Sequence, residues 1–322
     1  MAPAARLDCT ASYCQTGPAV LRRVLDEILA VLDVLPVSGQ KSAEAPEAFV
    51  GRNIHTAHVF GGQVVGQAIA AGGRTVVADR HLHSLHAYFL APGDWTQDIR
   101  FEVQRIRDGA IFSSRRITAL QQRGPILQLT ASWHVEEQGL SHQNHAPAVA
   151  GPDGLQTDRQ RFADLAKARP EVLQFAFRFE AFDSRQVEDL PPFTTVQREP
   201  RKHTWIRTAH ALPDDPRLHE SVLGYLSDLD FMSTSMMPHL TAPMDRGQMQ
   251  ATSLDHSLWL HKPVRVDEWL LFCKESPRAH GARGFVRGDF FTQSGELVVS
   301  AAQECLIRPR NLPAAGAASE PM

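Results

Sequence analysis

Apolar positions along the chain recur at two spacings, and the order in which those spacings occur is repeated. Residues 18–36, PAVLRRVLDEILAVLDVLP, have the three-and-four spacing of an amphipathic helix, with Pro18 near its start and Pro36 stopping it. After the polar connector SGQKSAEAPE a short strand is expected at Ala48–Arg52, and FGGQVVGQAIAAGGRTVV over residues 60–77 reads as a second helix. Its glycines suit an isolated helix poorly, each costing up to about 1 kcal/mol. They make sense if a sheet wraps the helix too closely for larger side chains. Strand-like alternation follows at His83–Leu90, Ile99–Arg107, Ile111–Gln121 and Ile126–His134, with hairpin signals at Asp108-Gly109 and Arg123-Gly124. Residues 140–194 are richer in Pro, Gln and Asp and carry one expected helix at Asp158–Ala168. They read as a connector.

Beyond the connector the order returns. A strand at His203–Ala209 matches the one at 48–52, a helix at 218–236 matches that at 60–77, and a strand at Gln250–His261 matches His83–Leu90. Trp269–Ser276, Gly284–Thr292 and Leu297–Arg308 form a second meander, with Ser294-Gly295 at its last turn. HSLHAYFLAPGDW resembles DHSLWLHKPVRVDEW, and RDGAIFSSRRITALQQRGPILQLTASW resembles AHGARGFVRGDFFTQSGELVVSAAQE. The pattern predicts an α+β chain with one repeat at 18–139, a connector at 140–194 and a second repeat at 195–310. Each repeat would wrap an antiparallel sheet around one helix.

The helix of the second repeat, in LHESVLGYLSDLDFMSTSMMPH (218–239), attracts attention because two carboxylates interrupt it. Val222, Tyr225, Leu226, Leu229, Met232 and Met236 form its apolar stripe. At about 100° per residue, Asp228 and Asp230 each fall roughly a quarter turn off the stripe on opposite sides. Periodicity leaves open which one points inward, and a buried acid needs a polar partner from elsewhere. In the strand QATSLDHSLWLH, alternation puts Ala251, Ser253, Asp255 and Trp259 on one face and Leu254, Leu258 and Leu260 on the other. In the last strand Gln303 shares a face with Val299, Ala301, Cys305 and Ile307, and a glutamine there requires a hydrogen-bond partner.

Composition narrows the function. The 322 residues are 43% hydrophobic and 21% charged, enough for one large core or two smaller ones. A net charge of −3 provides no basic footprint for nucleic acid. The start, MAPAARLDCTASYCQTG, lacks the pattern of a signal peptide, no run approaches the roughly 20 apolar residues of a membrane span, and the final AASEPM is not S-K-L. A cytoplasmic location is the resulting expectation. Cys9, Cys14, Cys273 and Cys305 form no CxxC, which argues against a disulfide framework or a zinc site. GxSxG, GxGxxG after a strand, GxxxxGK[ST] and HExxH are all absent. The groups His81, His83, His86 and His134, His142, His145 lack acidic or cysteine partners at ligand spacing, so no metal is expected.

Several longer stretches carry a family resemblance: VFGGQVVGQA (59–68), HSLHAYFLAPGD (83–94), RDGAIFSSRR (107–116), GYLSDLDF (224–231), SLDHSLWLHKP (253–263), ARGFVRGDFFTQSG (282–295) and AAQE (301–304). In these, from about residue 20 to 310, the chain resembles the acyl-CoA thioesterase II family, the TesB-like group that includes the peroxisomal acyl-CoA thioesterases of animals. The resemblance implies a double hot-dog fold, agreeing with the duplication, and hydrolysis of acyl-CoA to free fatty acid and CoA with no bound cofactor. It implies a site of an acid on the second helix, a Thr or Ser on the following strand and a Gln on the last strand. Those positions fall on Asp228, Ser253 and Gln303. Family position, not spacing, selects Asp228 over Asp230 and Asp255. Acyl-CoA is the implied partner, with a homodimer or homotetramer implied by resemblance only. Aligning the repeats on Gly124 and Gly295 puts Ser132 opposite Gln303, and the first helix has no acid, so only the second repeat keeps the triad. The first repeat would contribute packing and a wall for the acyl chain or CoA, with Gln63 and Gln67 either lining the site or serving the fold. Two alternatives stay open: a hot-dog hydratase or dehydratase using the pair Asp255 and His256, and a non-catalytic acyl-CoA binding module.

Overall fold

The computed structural model describes residues 18–38, 46–54, 59–168, 181–189, 196–239 and 249–310. The N-terminal tail with Cys9 and Cys14, and the C-terminal residues, lie outside the described residues. Helix α1 (Pro18–Leu32) ends four residues before the proline expected to stop it, because Leu35–Pro36 forms strand β1. In chain order there follow β2 (Glu47–Gly51), helix α2 (Gly61–Gly73), β3 (Arg80–Phe89), β4 (Ile99–Asp108), β5 (Phe112–Gln121) and β6 (Gly124–Val135). Helix α3 (Asp158–Ala166) and β7 (Phe182–Gln186) come from the stretch read as connector. The second half then supplies β8 (Arg201–Thr208), helix α4 (Pro216–Leu226), a 3₁₀ segment (Met232–His239), β9 (Met249–Ser253), β10 (Asp255–Leu260), β11 (Leu270–His280), β12 (Arg283–Thr292) and β13 (Leu297–Pro309).

All pairings are antiparallel, and the spatial order is β1-β2-β4-β5-β6-β3-β10-β13-β12-β11-β8-β7, with β9 also on β13. The two repeat sheets therefore join edge to edge. The seam is β3 against β10, where Leu85 pairs with Leu258 and His86 with Ser257, and it leaves a single 13-stranded sheet. Strand β7, which sequence reasoning missed, lengthens the second half's sheet by pairing with β8. Its sequence FDSRQ has only one large apolar residue, so no alternating run announced it.

One continuous buried cluster runs through both halves, from Ile28 and Leu32 of α1 through Val65 and Ile69 of α2 to Val222 and Leu226 of α4. The small residues of α2 have two causes, and the close sheet expected from the sequence is one of them. Gly61 and Gly72 face sheet side chains closely, Phe89 and Trp133. Gly66 lies against the α4 backbone: a Cβ placed there would come within 2.6 Å of the Ser221 carbonyl oxygen. Across the crossing, a Cβ on Gly224 would come within 3.2 Å of the Gly66 Cα. The two central helices touch backbone to backbone, which only glycine permits.

The helix expected over 218–236 stops at Leu226. Asp230 takes a left-handed conformation (φ 54), which aspartate tolerates better than most residues, and the chain turns into the 3₁₀ segment. The apolar spacing continues through the break because Leu229, Phe231 and Met236 are still buried, so periodicity alone could not detect it.

Candidate active site

Asp228 lies in the turn after α4, Ser253 at the end of β9 and Gln303 in the middle of β13. The fold brings the three together. Gln303 is fully buried, and its Nε2 donates to Asp228 Oδ1 at 2.8 Å and to Ser253 Oγ at 2.5 Å. Ser253 Oγ donates to the same Oδ1 at 3.4 Å. The other carboxylate oxygen, Oδ2, accepts the backbone N–H of Gly62 at 2.9 Å, so the first turn of α2 reaches the acid from the other half of the chain. A carboxylate accepts only, which fixes the amide of Gln303 with its nitrogen toward Asp228.

Ser253 reaches this site because the expected strand 250–261 is broken. Ser253 pairs with Cys305 on β13, but Ser257 pairs with Ala302, a slip of one residue. Leu254 occupies the slip, donating to the Glu304 carbonyl and accepting from the Phe89 amide. A one-residue slip reverses which face each side chain takes. Ser253 points in, and so do His256, Leu258 and Leu260, while Asp255 and Trp259 leave the face on which simple alternation put them.

Aligning the repeats through Ser132 fails by the same kind of offset. Gly124 opens β6, whereas Gly295 lies in the turn before β13, so counting from these glycines joins positions of opposite parity. Ser132 alternates outward between the buried Ala131 and Trp133, while Gln303 faces inward.

Two family models match the chain, "Acyl-CoA thioesterase" over residues 174–306 and "Acyl-CoA thioesterase N-terminal domain" over residues 52–134. Acyl-CoA thioesterase 2 of Haemophilus influenzae is 37% identical over 78% of this chain and 87% of its own length. Human acyl-coenzyme A thioesterase 8 is 34% identical over 90% of this chain and 91% of its own. The chain belongs to the acyl-CoA thioesterase II family. Its fold matches the crystal structure of the acyl-CoA thioesterase II TesB2 from Mycobacterium marinum with a TM-score of 0.71 and 34% identity, over 88% of this chain and 99% of that one. The double hot-dog architecture expected from the duplication is thereby established.

Within this thioesterase the two rival acids are otherwise engaged. Asp255 Oδ1 accepts the Glu304 amide at 2.7 Å on the outer side of the sheet. Asp230 lies against Lys202 and Lys274, at 2.5 and 3.8 Å. Burial acts to raise the pKa of Asp230, but the two ammonium groups hold it below the ordinary carboxylate range. Asp255 and His256 face opposite ways, which removes the basis for a hydratase reading built on them. Gln63 and Gln67 serve the fold. Gln67 Nε2 donates to the carbonyls of Val31 and Arg52 at 2.8 and 2.7 Å, and Gln63 Nε2 to Asn53 Oδ1 at 2.7 Å. Among the described residues no cluster of His, Cys, Asp and Glu is arranged to hold a metal ion.

Two neighbours of the site lie outside the expected triad: one was missed in the sequence, and the other was named there only as half of a hydratase pair. The Gly62 amide is a main-chain group 166 residues from Asp228, and nothing in local spacing points to it. The other is His256, fully buried, with Nε2 at 2.9 Å from Ser227 Oγ beside Asp228. Burial drives its pKa down to about 4, so the ring is neutral at neutral pH. A folded pKa below the unfolded 6.5 contributes stability that is complete above pH 6.5 and is lost as pH falls toward 4. Between those pH values the wild type should lose about 3 kcal/mol more stability than His256→Gln. Urea midpoints across that range check this, and parallel losses in the two proteins would refute it.

Proposed function

We infer that this thioesterase hydrolyses fatty acyl-CoA to free fatty acid and CoA with a water held by Asp228, Ser253 and Gln303. The meeting of these three side chains, from three separate elements at hydrogen-bond distance, is the observation that carries the reading. A thioester carbonyl is electrophilic enough for direct attack by water, with no covalent intermediate on the enzyme. Asp228 takes a proton as the water oxygen bonds to the carbonyl carbon. The tetrahedral species then expels the CoA thiolate, which recovers that proton from Asp228, leaving the free acid. Ser253 and the Gln303 amide set the line of attack. Gln303 and the Gly62 amide also hold the carboxylate at both oxygens, so it does not reorganise during the step. The N-terminus of α2, which reaches the site through the Gly62 amide, would favour charge developing on the carbonyl oxygen. Phe89, packed against Gly61 next to the carboxylate, offers an apolar surface to the acyl chain.

The relatives' names and the meeting of the three side chains fit the same activity, and the proposed scheme calls for no cofactor. The division into repeats at 18–139 and 195–310 with a connector between them, a cytoplasmic location, and a homodimer or homotetramer complete the proposal.

Thiol release from short to long acyl-CoAs tests it. Ser253→Ala and Gln303→Ala should each lose about 10²-fold in kcat, while Ser253→Thr stays near wild type because it retains the hydroxyl. Full activity in both alanine variants would overturn the assignment, and inactivity of the wild type on every chain length would favour the binding-module reading. Gly61→Ala is a finer probe. Its Cβ would come within 2.8 Å of Asp228 Oδ2 and 3.0 Å of Phe89, and displacing the carboxylate should cost about 10-fold or more in kcat with an unchanged fold.

A further inference from the structure

Two lysines that sequence reasoning passed over lie directly opposite each other on adjacent strands. Lys202 on β8 pairs with Lys274 on β11, and both are almost completely buried. Like charges across a strand pair repel, and burial sharpens the repulsion. Their shared counter-charge is Asp230, whose Oδ2 lies 2.5 Å from Lys202 Nζ and 3.8 Å from Lys274 Nζ. Ser233 Oγ closes the group, donating to Asp230 Oδ1 at 2.5 Å and accepting from Lys202. Gln186 Nε2 of β7 lies 3.5 Å from Oδ2. Asp158 of α3, held by Ser184 Oγ at 2.6 Å, contributes further negative charge toward Lys274.

A buried ionic group of this kind is weak evidence for stability, since apolar side chains of the same volume commonly serve as well. What ions do better is hold one geometry. The geometry in question is specific. Asp230 is one of only two non-glycine residues with positive φ among the described residues, and it lies two positions after Asp228. The other end of the same turn is held too, by Ser227 Oγ, which contacts the Gly224 carbonyl and His256. Asp228 is thus suspended between a fixed helix end and a fixed left-handed residue.

We propose that the Lys202–Asp230–Lys274 cluster is a positioning device, which locks residue 230 left-handed so that the carboxylate of Asp228 meets Gln303, Ser253 and the Gly62 amide. The proposal rests on Asp228 being the base. The cluster lies outside the triad. It acts through Asp228 alone, and that restriction makes it testable.

The experiment is steady-state thiol release from one acyl-CoA with Asp228→Asn, Asp230→Asn, Lys202→Met, Ser233→Ala and the double variant Asp228→Asn/Asp230→Asn, each checked for folding by thermal melt. Asparagine tolerates the left-handed region, so Asp230→Asn removes the charge with little change in backbone preference. Asp230→Asn and Lys202→Met should each lower kcat by about 10-fold or more and leave KM within about two-fold. In the Asp228→Asn background, Asp230→Asn should lower kcat no further. Ser233→Ala, which removes the hydroxyl's hydrogen bonds to Asp230 and Lys202 and no charge, should remain folded with a kcat several-fold below wild type, and it decides the matter if the charge variants melt. Folded variants with wild-type kcat, a loss expressed mainly in KM, or an equal further loss in the Asp228→Asn background would each overturn the proposal. Full activity in Asp228→Asn would instead overturn the catalytic reading, so the two failures are distinct.

Discussion

Asp228→Asn is expected to lower kcat for thiol release by about 10²–10⁴-fold, the range associated with loss of a general base. The substitution preserves shape and removes the one group able to take the water's proton. It also breaks the hydrogen-bond arrangement. Both carboxylate oxygens accept, one from Gln303 and one from the Gly62 amide, and an asparagine can satisfy only one of those donors. The other donor is left facing an NH₂ group in a buried site, which should cost about 1–3 kcal/mol of stability. A melt and a rate measured on the same sample therefore separate the two consequences. A lowered melting temperature with wild-type kcat would show that Asp228 is structural and would remove it from the reaction.

The largest expected effect on stability lies away from the chemistry, at the crossing of the central helices. In Gly66→Val the new Cβ would come within 2.6 Å of the Ser221 carbonyl oxygen and 2.7 Å of Leu32. The first obstacle is backbone, so the helices must separate, and the contact of Gly224 with Gly66 and Ile69 is lost with them. Overpacking of this kind costs about 3 kcal/mol, and a melting temperature lower by about 4–5 °C is the expected readout for a chain of this length. Activity should fall as well at temperatures where the variant is folded, because α2 carries the Gly62 amide that holds Asp228. Gly139→Val is the control. Nothing lies within 4 Å of its Cβ position, and it should change stability by less than about 0.5 kcal/mol. Equal melting of the two variants would refute the backbone-to-backbone reading of the crossing.

Much of this architecture was legible before any coordinates. Period-two runs separated by Asp-Gly and Ser-Gly turns marked the meanders of both halves to within a few residues, because each strand buries one face and exposes the other. The repeated order of elements marked the duplication. Gln303 stood out as a polar side chain in an apolar row, and its complete burial bears out the expectation that it needs partners. The identity of those partners was not legible from periodicity. It came from motif resemblance, since Asp228 and Asp230 were equivalent with respect to the apolar stripe.

What the sequence by itself determined is what depends on local pattern: element types, their order, the two-fold repetition and a short set of candidate polar residues. Tertiary structure alone decided the rest, for one physical reason. Hydrogen-bond and charge partners are selected by distance in space, and the groups concerned lie far apart along the chain. A one-residue slip at Leu254 turned Ser253 and His256 to the same side. A left-handed residue at 230 ended a helix whose apolar spacing ran on. Two lysines from β8 and β11 claimed Asp230, while a glycine amide from the first half claimed Asp228. Each of these depends on where one strand or helix lies against another, which no window of neighbouring residues encodes.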